Sequence, residues 1–289
     1  MNSHCSVNAW IYLDEDQPYD TNYKNSTSTF QTLIKKKVYQ SHDILFICFV
    51  STIITINDTI PIGDGTSYTI QINSKVYLNE LSNQNYMDNV ISDARKTNPN
   101  IKIAVTLGSG GTSLLPDIFS TSKYSPEEAA EQFASNLMAY LKQHDLDGFD
   151  INWPNPSFGS ITKEQFTLLI NAIGVEFKQQ TNKHYYLTLS PADVGNLDPN
   201  AVNNHVDFVN LQLYSGFTSP EDFEDAGVNP DLFAYGAKFE EEHETAVRAY
   251  QNNKDNYHYN IFTCWRLNSD NYIFDHTEVQ NLYKLCSGI

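Results

Sequence analysis

Residues Leu146-Asp147-Gly148-Phe149-Asp150-Ile151-Asn152-Trp153-Pro154 alternate acids and an amide with apolar side chains. A spacing of two is the period of a strand with unlike faces. It puts Asp150, Asn152 and Pro154 on one face and Phe149, Ile151 and Trp153 on the other. Strand-like and amphipathic helical segments flank the stretch, so it reads as a central strand covered on both faces. An acid and an amide turned inward need hydrogen-bond partners, because unpaired burial costs several kcal/mol. A functional site tolerates that cost, since a carboxylate beside an amide can hold the hydroxyls of a bound ligand. The structural alternative is a buried acid satisfied by neighbours such as Thr106 and Tyr214. On that reading Asn152 spares Asp150 a like charge about 7 Å along the strand.

The elements that must position these residues alternate along the chain. Val7 to Leu13, Ile44 to Ser51, Ile101 to Leu107, the Asp150 stretch, Tyr185 to Ser190, Val206 to Tyr214, Leu232 to Phe239 and Tyr259 to Trp265 read as eight strands. Helices are expected over Thr29 to Val38, Tyr86 to Thr97, Ser125 to His144, Thr162 to Gln180, Glu242 to Asn252 and Asp275 to Cys286. Ser125-Pro126-Glu127-Glu128 and Thr162-Lys163-Glu164-Gln165 carry strong helix-start signals. Thr52 to Asn57 and Tyr68 to Asn73, around Gly63-Asp64-Gly65, read as a β-hairpin insertion after the second strand. Eight strands separated mostly by helices predict an α/β fold, a (β/α)₈ barrel forming one domain over residues 1–289. Function is then expected at the C-terminal strand ends, which carry Tyr12 to Asp16, Thr106 to Gly111, Asp150 to Pro154, Ser190 to Asp193, Gln212 to Ser215 and Trp265 to Asp270. Such a lining of rings, amides and acids suits a neutral polyol, which stacks on aromatic faces and bonds through its hydroxyls.

Composition narrows the partners. A formal charge of −17 repels nucleic acid phosphates. No apolar run reaches membrane-spanning length. The first residues, Met1-Asn2-Ser3-His4-Cys5-Ser6, lack the basic head and apolar stretch of a signal peptide, so the chain reads as cytoplasmic, or secreted if a leader was removed or another export route is used. Cys5, Cys48, Cys264 and Cys286 have no metal-ligand spacing; Cys48 and Cys264 read as buried thiols, and a Cys5–Cys286 bond would need the termini to meet. The acidic runs Asp14 to Asp16, Glu221 to Asp225 and Glu240 to Glu244 read as solvated surface. Neither a metal nor a cofactor is expected.

The Asp150 stretch resembles the signature of glycoside hydrolase family 18, the chitinases and endo-β-N-acetylglucosaminidases. Leu146, Asp147, Gly148, Phe149, Asp150, Ile151 and Asn152 match it, with Asn152 where most members have Asp. Thr106-Leu107-Gly108-Ser109 resembles the motif ending the family's third strand, Gln212-Leu213-Tyr214 the sixth-strand motif whose tyrosine contacts the substrate's acetamide, and Cys264-Trp265 the last strand, whose tryptophan floors the sugar site. The departure is Pro154, at the position of the glutamic acid that protonates the glycosidic oxygen. General acid catalysis is worth about 10²–10⁴ in rate, and losing the middle acid's charge removes a further factor of about 10².

The resemblance thus implies a pseudo-glycosidase with no working catalytic group, its motif degenerate at Asp147, Asp150, Asn152 and Pro154. Its expected sugar contacts are Asp150, Asn152, Tyr214, Trp265, Gln212, Thr106 and Tyr12, and its expected ligand is a chitooligosaccharide or N-glycan. A non-enzymatic scaffold with a closed cleft, serving storage, a toxin or a protein partner as an inhibitor does, is the first alternative. The second is residual chitinase or endo-β-N-acetylglucosaminidase activity with an acid relocated to Asp14, Glu15, Asp16, Asp193 or Asp270.

Overall fold

Strands form where the chain runs through β-branched and aromatic residues, and helices begin where a capping residue precedes a periodic apolar face. The computed structural model describes residues 6–13, 23–24, 26, 28–62, 65–73, 80–108, 114–119, 124–153, 161–215, 218–238, 248, 252, 257 and 259–268, with backbone alone at 51–62, 65–73, 80–86, 114, 117, 153 and 238. Its strands are β1 (Ser6–Tyr12), β2 (Ile44–Ile62), β3 (Gly65–Asn73), β4 (Lys102–Leu107), β5 (Gly148–Trp153), β6 (Tyr186–Pro191), β7 (Phe208–Leu211), β8 (Phe233–Lys238) and β9 (Ile261–Trp265). Its helices are α1 (Thr29–Lys35), α2 (Glu80–Thr97), α3 (Leu114–Ile118), α4 (Pro126–Gln143), α5 (Lys163–Lys178), α6 (Pro199–His205) and α7 (Pro220–Asp225).

Eight strands are parallel, and β1 pairs with both β2 and β9, which closes the barrel. β3 alone is antiparallel, laid against the continuation of β2. The hairpin expected after the second strand is present and continuous with it: β2 passes unbroken through the Ile- and Thr-rich run after Ser51. The sixth barrel strand is shorter than expected. It stops at Leu211, and Leu213–Ser215 make a 3₁₀ turn that carries Gln212 and Tyr214 off the ladder. Three short helices, α3, α6 and α7, were missed, although Asp198-Pro199 and Ser219-Pro220 are start signals of the kind recognised elsewhere in the chain.

α4 and α5 begin with complete capping boxes, Ser125 with Glu128 and Thr162 with Gln165, and bury stripes that include Phe133, Leu137 and Leu141 on one and Phe166, Ile170 and Ile173 on the other. These stripes join the larger core, between the outside of the barrel and its helices. The smaller core fills the barrel and contains Trp10, Ile44, Phe46, Cys48, Phe49, Ala104, Phe208 and Ala234. Three aspartates pin the barrel at the N-terminal ends of alternate strands. Asp43 accepts the Val7 N–H at 2.9 Å, Asp147 the Ile103 N–H at 2.8 Å and Asp207 the Leu187 N–H at 2.8 Å. Each carboxylate ties the start of its own strand to the preceding strand, at β2, β5 and β7.

Cys48 and Cys264 are buried thiols, as expected. The Cys5–Cys286 pairing, the acids 14–16 and 240–244, the closing helix and Pro154 lie outside the described residues, as does all but isolated positions of the helix expected over 242–252. Among the described residues no helix is long and apolar enough to cross a membrane, and no cluster of three metal-ligating side chains occurs.

Candidate functional site

Strand alternation and register assemble the site. Thr106, Asp150 and Thr188 are partners across β4, β5 and β6, and Asn152 is paired with Ser190 one step further along. Gly148 makes this close register achievable at its start, since a Cβ there would meet the Tyr186 carbonyl oxygen at 2.6 Å. Gly108 does the same at the other end, where a Cβ would lie 2.8 Å from the Asn152 carbonyl oxygen.

Asp150 is sealed, with 0% of its surface exposed. Its Oδ1 accepts from Thr188 Oγ1 at 2.7 Å and from Ser190 Oγ at 2.8 Å, and Ser190 Oγ also lies 2.9 Å from Oδ2. Burial pushes the carboxyl up to about 6; hydrogen bonds from Thr188, Ser190, Thr106 and Trp10 oppose the rise. The network continues away from the carboxylate. Asn210 Nδ2 donates to Ser190 Oγ at 3.2 Å, and Thr263 Oγ1 donates to Asn210 Oδ1 at 2.6 Å. Trp10 Nε1 donates to Thr106 Oγ1 at 3.2 Å. Of the two neighbours expected to satisfy Asp150, Thr106 does so and Tyr214 does not. The tyrosine hydroxyl instead donates weakly to Gln212 Oε1, at 3.5 Å.

Asn152 makes no bond to Asp150. Its Oδ1 accepts from Gln212 Nε2 at 2.9 Å, and the same Nε2 donates to the Ser190 carbonyl oxygen at 2.6 Å. Asp147, also in the sequence motif, is at the opposite end of β5. It pairs with Lys183 at 2.9 Å and Arg95 at 3.2 Å, and does structural work at the barrel base.

Beside the polar network stands an aromatic group. Trp265, half-buried at the end of β9, has the rings of Phe49 at 5.9 Å, Trp10 at 6.0 Å and Tyr12 at 6.3 Å. The Arg266 guanidinium lies over the Tyr12 ring at 5.2 Å and the Trp265 ring at 5.9 Å. Tyr12 is itself held by its backbone: its N–H donates to Asn268 Oδ1 at 2.8 Å, and Asn268 Nδ2 donates back to its carbonyl oxygen at 2.5 Å. The structure thus brings Tyr12 and Trp265 together, joins Asp150 to Thr106, and joins Asn152 to Gln212, which Tyr214 in turn reaches. Sequence reasoning placed Ser190 at a functional strand end without naming it as a partner of Asp150, and missed Trp10, Phe49, Thr188 and Asn210. Trp10 shares the alternation of Tyr12, and Thr188 and Ser190 that of a strand facing Asp150, but only the register shows which strand is the neighbour.

Residues 9–264 match the family profile described as glycosyl hydrolases family 18. The chain belongs to that family. Among curated relatives it is 24% identical over 153 residues to putative chitinase 1 of Margaritifera margaritifera, covering 49% of this chain and 32% of that one. It is 25% identical over 176 residues to chitinase A1 of Niallia circulans, covering 55% and 24%. The matched chain spans about a third or less of those relatives' length. Among solved structures, the family GH18 chitinase of Cycas revoluta in complex with allosamidin superposes with a TM-score of 0.62 at 12% identity, covering 98% of this chain and 99% of that one. Human YKL-39, described as a pseudo-chitinase with retained chitooligosaccharide binding, superposes with a TM-score of 0.55 at 14% identity, covering 81% and 66%. At these identities the superpositions show the barrel fold, and the family rests on the profile match.

Proposed function

We propose that this protein is a catalytically inactive, chitinase-like barrel over residues 1–289 that binds N-acetylglucosamine-containing glycans at the C-terminal end of its strands. The observation that carries the reading is Trp265, half-buried on a bed of Trp10, Tyr12 and Phe49. An aromatic face at a barrel's strand ends is suited to a sugar ring. Inactivity rests on chemistry. Proline at position 154 has no proton to give, Asn152 carries no charge, and Asp150 is enclosed by hydroxyl donors. The likeness to YKL-39, a pseudo-chitinase with retained chitooligosaccharide binding, supports the pairing of lost cleavage with kept binding.

Calorimetric titration with chitotriose is expected to show saturable binding that Trp265→Ala weakens by about tenfold, the scale of a lost aromatic contact. A chromogenic chitobioside is expected to release nothing. Absence of heat at millimolar chitotriose would remove the glycan reading in favour of a scaffold that engages a protein partner. Chromophore release would favour a relocated acid. Asp193, just past β6, is the one candidate within the described residues, and burial raises its carboxyl, so Asp193→Asn is the variant that should abolish such activity.

A further inference from the structure

The outer wall of the barrel carries a groove of about 430 Å³ between α4 and α5. Its floor is apolar: Leu168 and Ala172 are half-buried there, and Val175 stands 50% exposed. Among the described residues Val175 is the one large apolar side chain so exposed. Both edges of the groove are acidic. Glu127 and Glu131 form the α4 edge and Glu176 the α5 edge, and no lysine or arginine lines the space between them. None of these three carboxylates makes an ion pair among the described residues. Lys178, two residues from Glu176, is engaged elsewhere and donates to the Asn204 carbonyl oxygen at 2.8 Å. Glu127 and Glu131 are one helical turn apart, so like charges stand side by side on one face and weaken α4 slightly.

We infer that this groove is a docking site for a cationic, amphipathic helix of another protein, laid between α4 and α5. The α5 side of the groove runs from Leu168 to Gln179, about 17 Å or three helical turns. Both walls are helices fixed by capping boxes and packed on the barrel, and the channel between such a pair accepts a third helix lengthwise. Leu168, Ala172 and Val175 are spaced by one turn each, so they match an apolar stripe on the incoming helix. Lysines or arginines beside that stripe reach the three carboxylates at the edges. Charge decides between occupants: a net charge of −17 draws a cationic partner and repels a second copy of this chain. The groove belongs to the helices after β4 and β5, whereas Trp265 ends β9, so the two surfaces are separate and neither reading rests on the other.

Fluorescence anisotropy with the full chain tests this, using two labelled peptides of about 14 residues, four helical turns, built from equal numbers of leucine and lysine. In the first the leucines share one helix face; in the second the same residues are scattered around the helix. At about 20 mM salt, where screening is weak, the first peptide is expected to bind saturably, one per chain. It should bind about tenfold more tightly than the scattered one, which has no apolar stripe to bury. Val175→Asn should weaken it about fivefold through lost apolar burial. Glu127→Gln, Glu131→Gln and Glu176→Gln together should weaken it about tenfold, the combined scale of three exposed ion pairs. The same loss of charge at the exposed acids Asp222, Asp225 and Asp231, each changed to Asn, should leave the affinity close to wild type. Equal affinity for the two peptides, no binding of either at about 1 mM, or equal weakening by the two sets of charge variants would each overturn the docking site. Sedimentation of the chain alone examines the other occupant. A monomer is expected, and a dimer that Val175→Asn dissociates would assign the groove to a second copy and overturn the partner helix.

Discussion

Asp150 is held by two hydroxyls in a sealed interior, and its ionised form is the less favoured one there. A carboxyl moved from 3.8 to about 6 corresponds to roughly 3 kcal/mol. The native state binds this proton more tightly than the unfolded chain does. The associated stability is fully present below about pH 3.8 and is lost as pH rises through about 6. Asp150→Asn removes the titration. Urea denaturation should therefore show the variant gaining about 2 kcal/mol relative to wild type between pH 4 and pH 7, most of the full difference. A difference independent of pH would show that Asp150 titrates at its ordinary value. Much of this residue scale could be read beforehand: alternation assigned Asp150, Asn152 and Pro154 to one face, and Thr106 was named as a partner. Thr188 and Ser190 could not be named, because alternation within one strand says nothing about which strand lies beside it.

At the scale of elements, Asp147 shows how a motif residue can serve the frame. Its carboxylate accepts from the Ile103 N–H and faces Lys183 and Arg95, while the Arg95 guanidinium also bonds Asp145. Asp147→Ala leaves two cations and a backbone donor without that acceptor, at a position 5% exposed. It should cost about 2–4 kcal/mol by chemical denaturation, less than a deeply buried pair because both cations are partly solvated. Retained stability would mean that Asp145 takes over both cations. The same device recurs at Asp43 and Asp207, and its sequence trace is an aspartate directly before, or one residue before, an apolar strand. The strands and long helices were legible from period and caps, whereas α3, α6 and α7 were missed because short helices carry too few apolar repeats to register. The merging of the hairpin with β2 was hidden because a strand's continuation and a new strand have the same local pattern.

For the whole molecule, closure is the property that matters: β1 pairs on both sides, so every barrel strand has two neighbours and the inward residues of all eight share one interior. A net charge of −17 opposes that compactness by self-repulsion. Raising sodium chloride from about 20 mM to 300 mM, which shortens the screening length severalfold, should raise the Tm in scanning calorimetry. A falling Tm would show that ion pairs such as Asp147–Lys183 outweigh the repulsion.

By itself the sequence determined the alternation of strands and helices, the acid-and-amide face of β5, the acidic net charge, and proline at position 154. These are local or summed quantities, readable without knowing any neighbour. The tertiary structure decided that Asp150 is enclosed by Thr188 and Ser190, that Asp147 works at the far end of the same strand, and that Trp265 rests on Trp10, Tyr12 and Phe49. It also decided that Gln212, just past β7, donates to both Asn152 on β5 and the Ser190 carbonyl on β6. Each depends on register between strands tens of residues apart, which barrel closure imposes and no local pattern encodes.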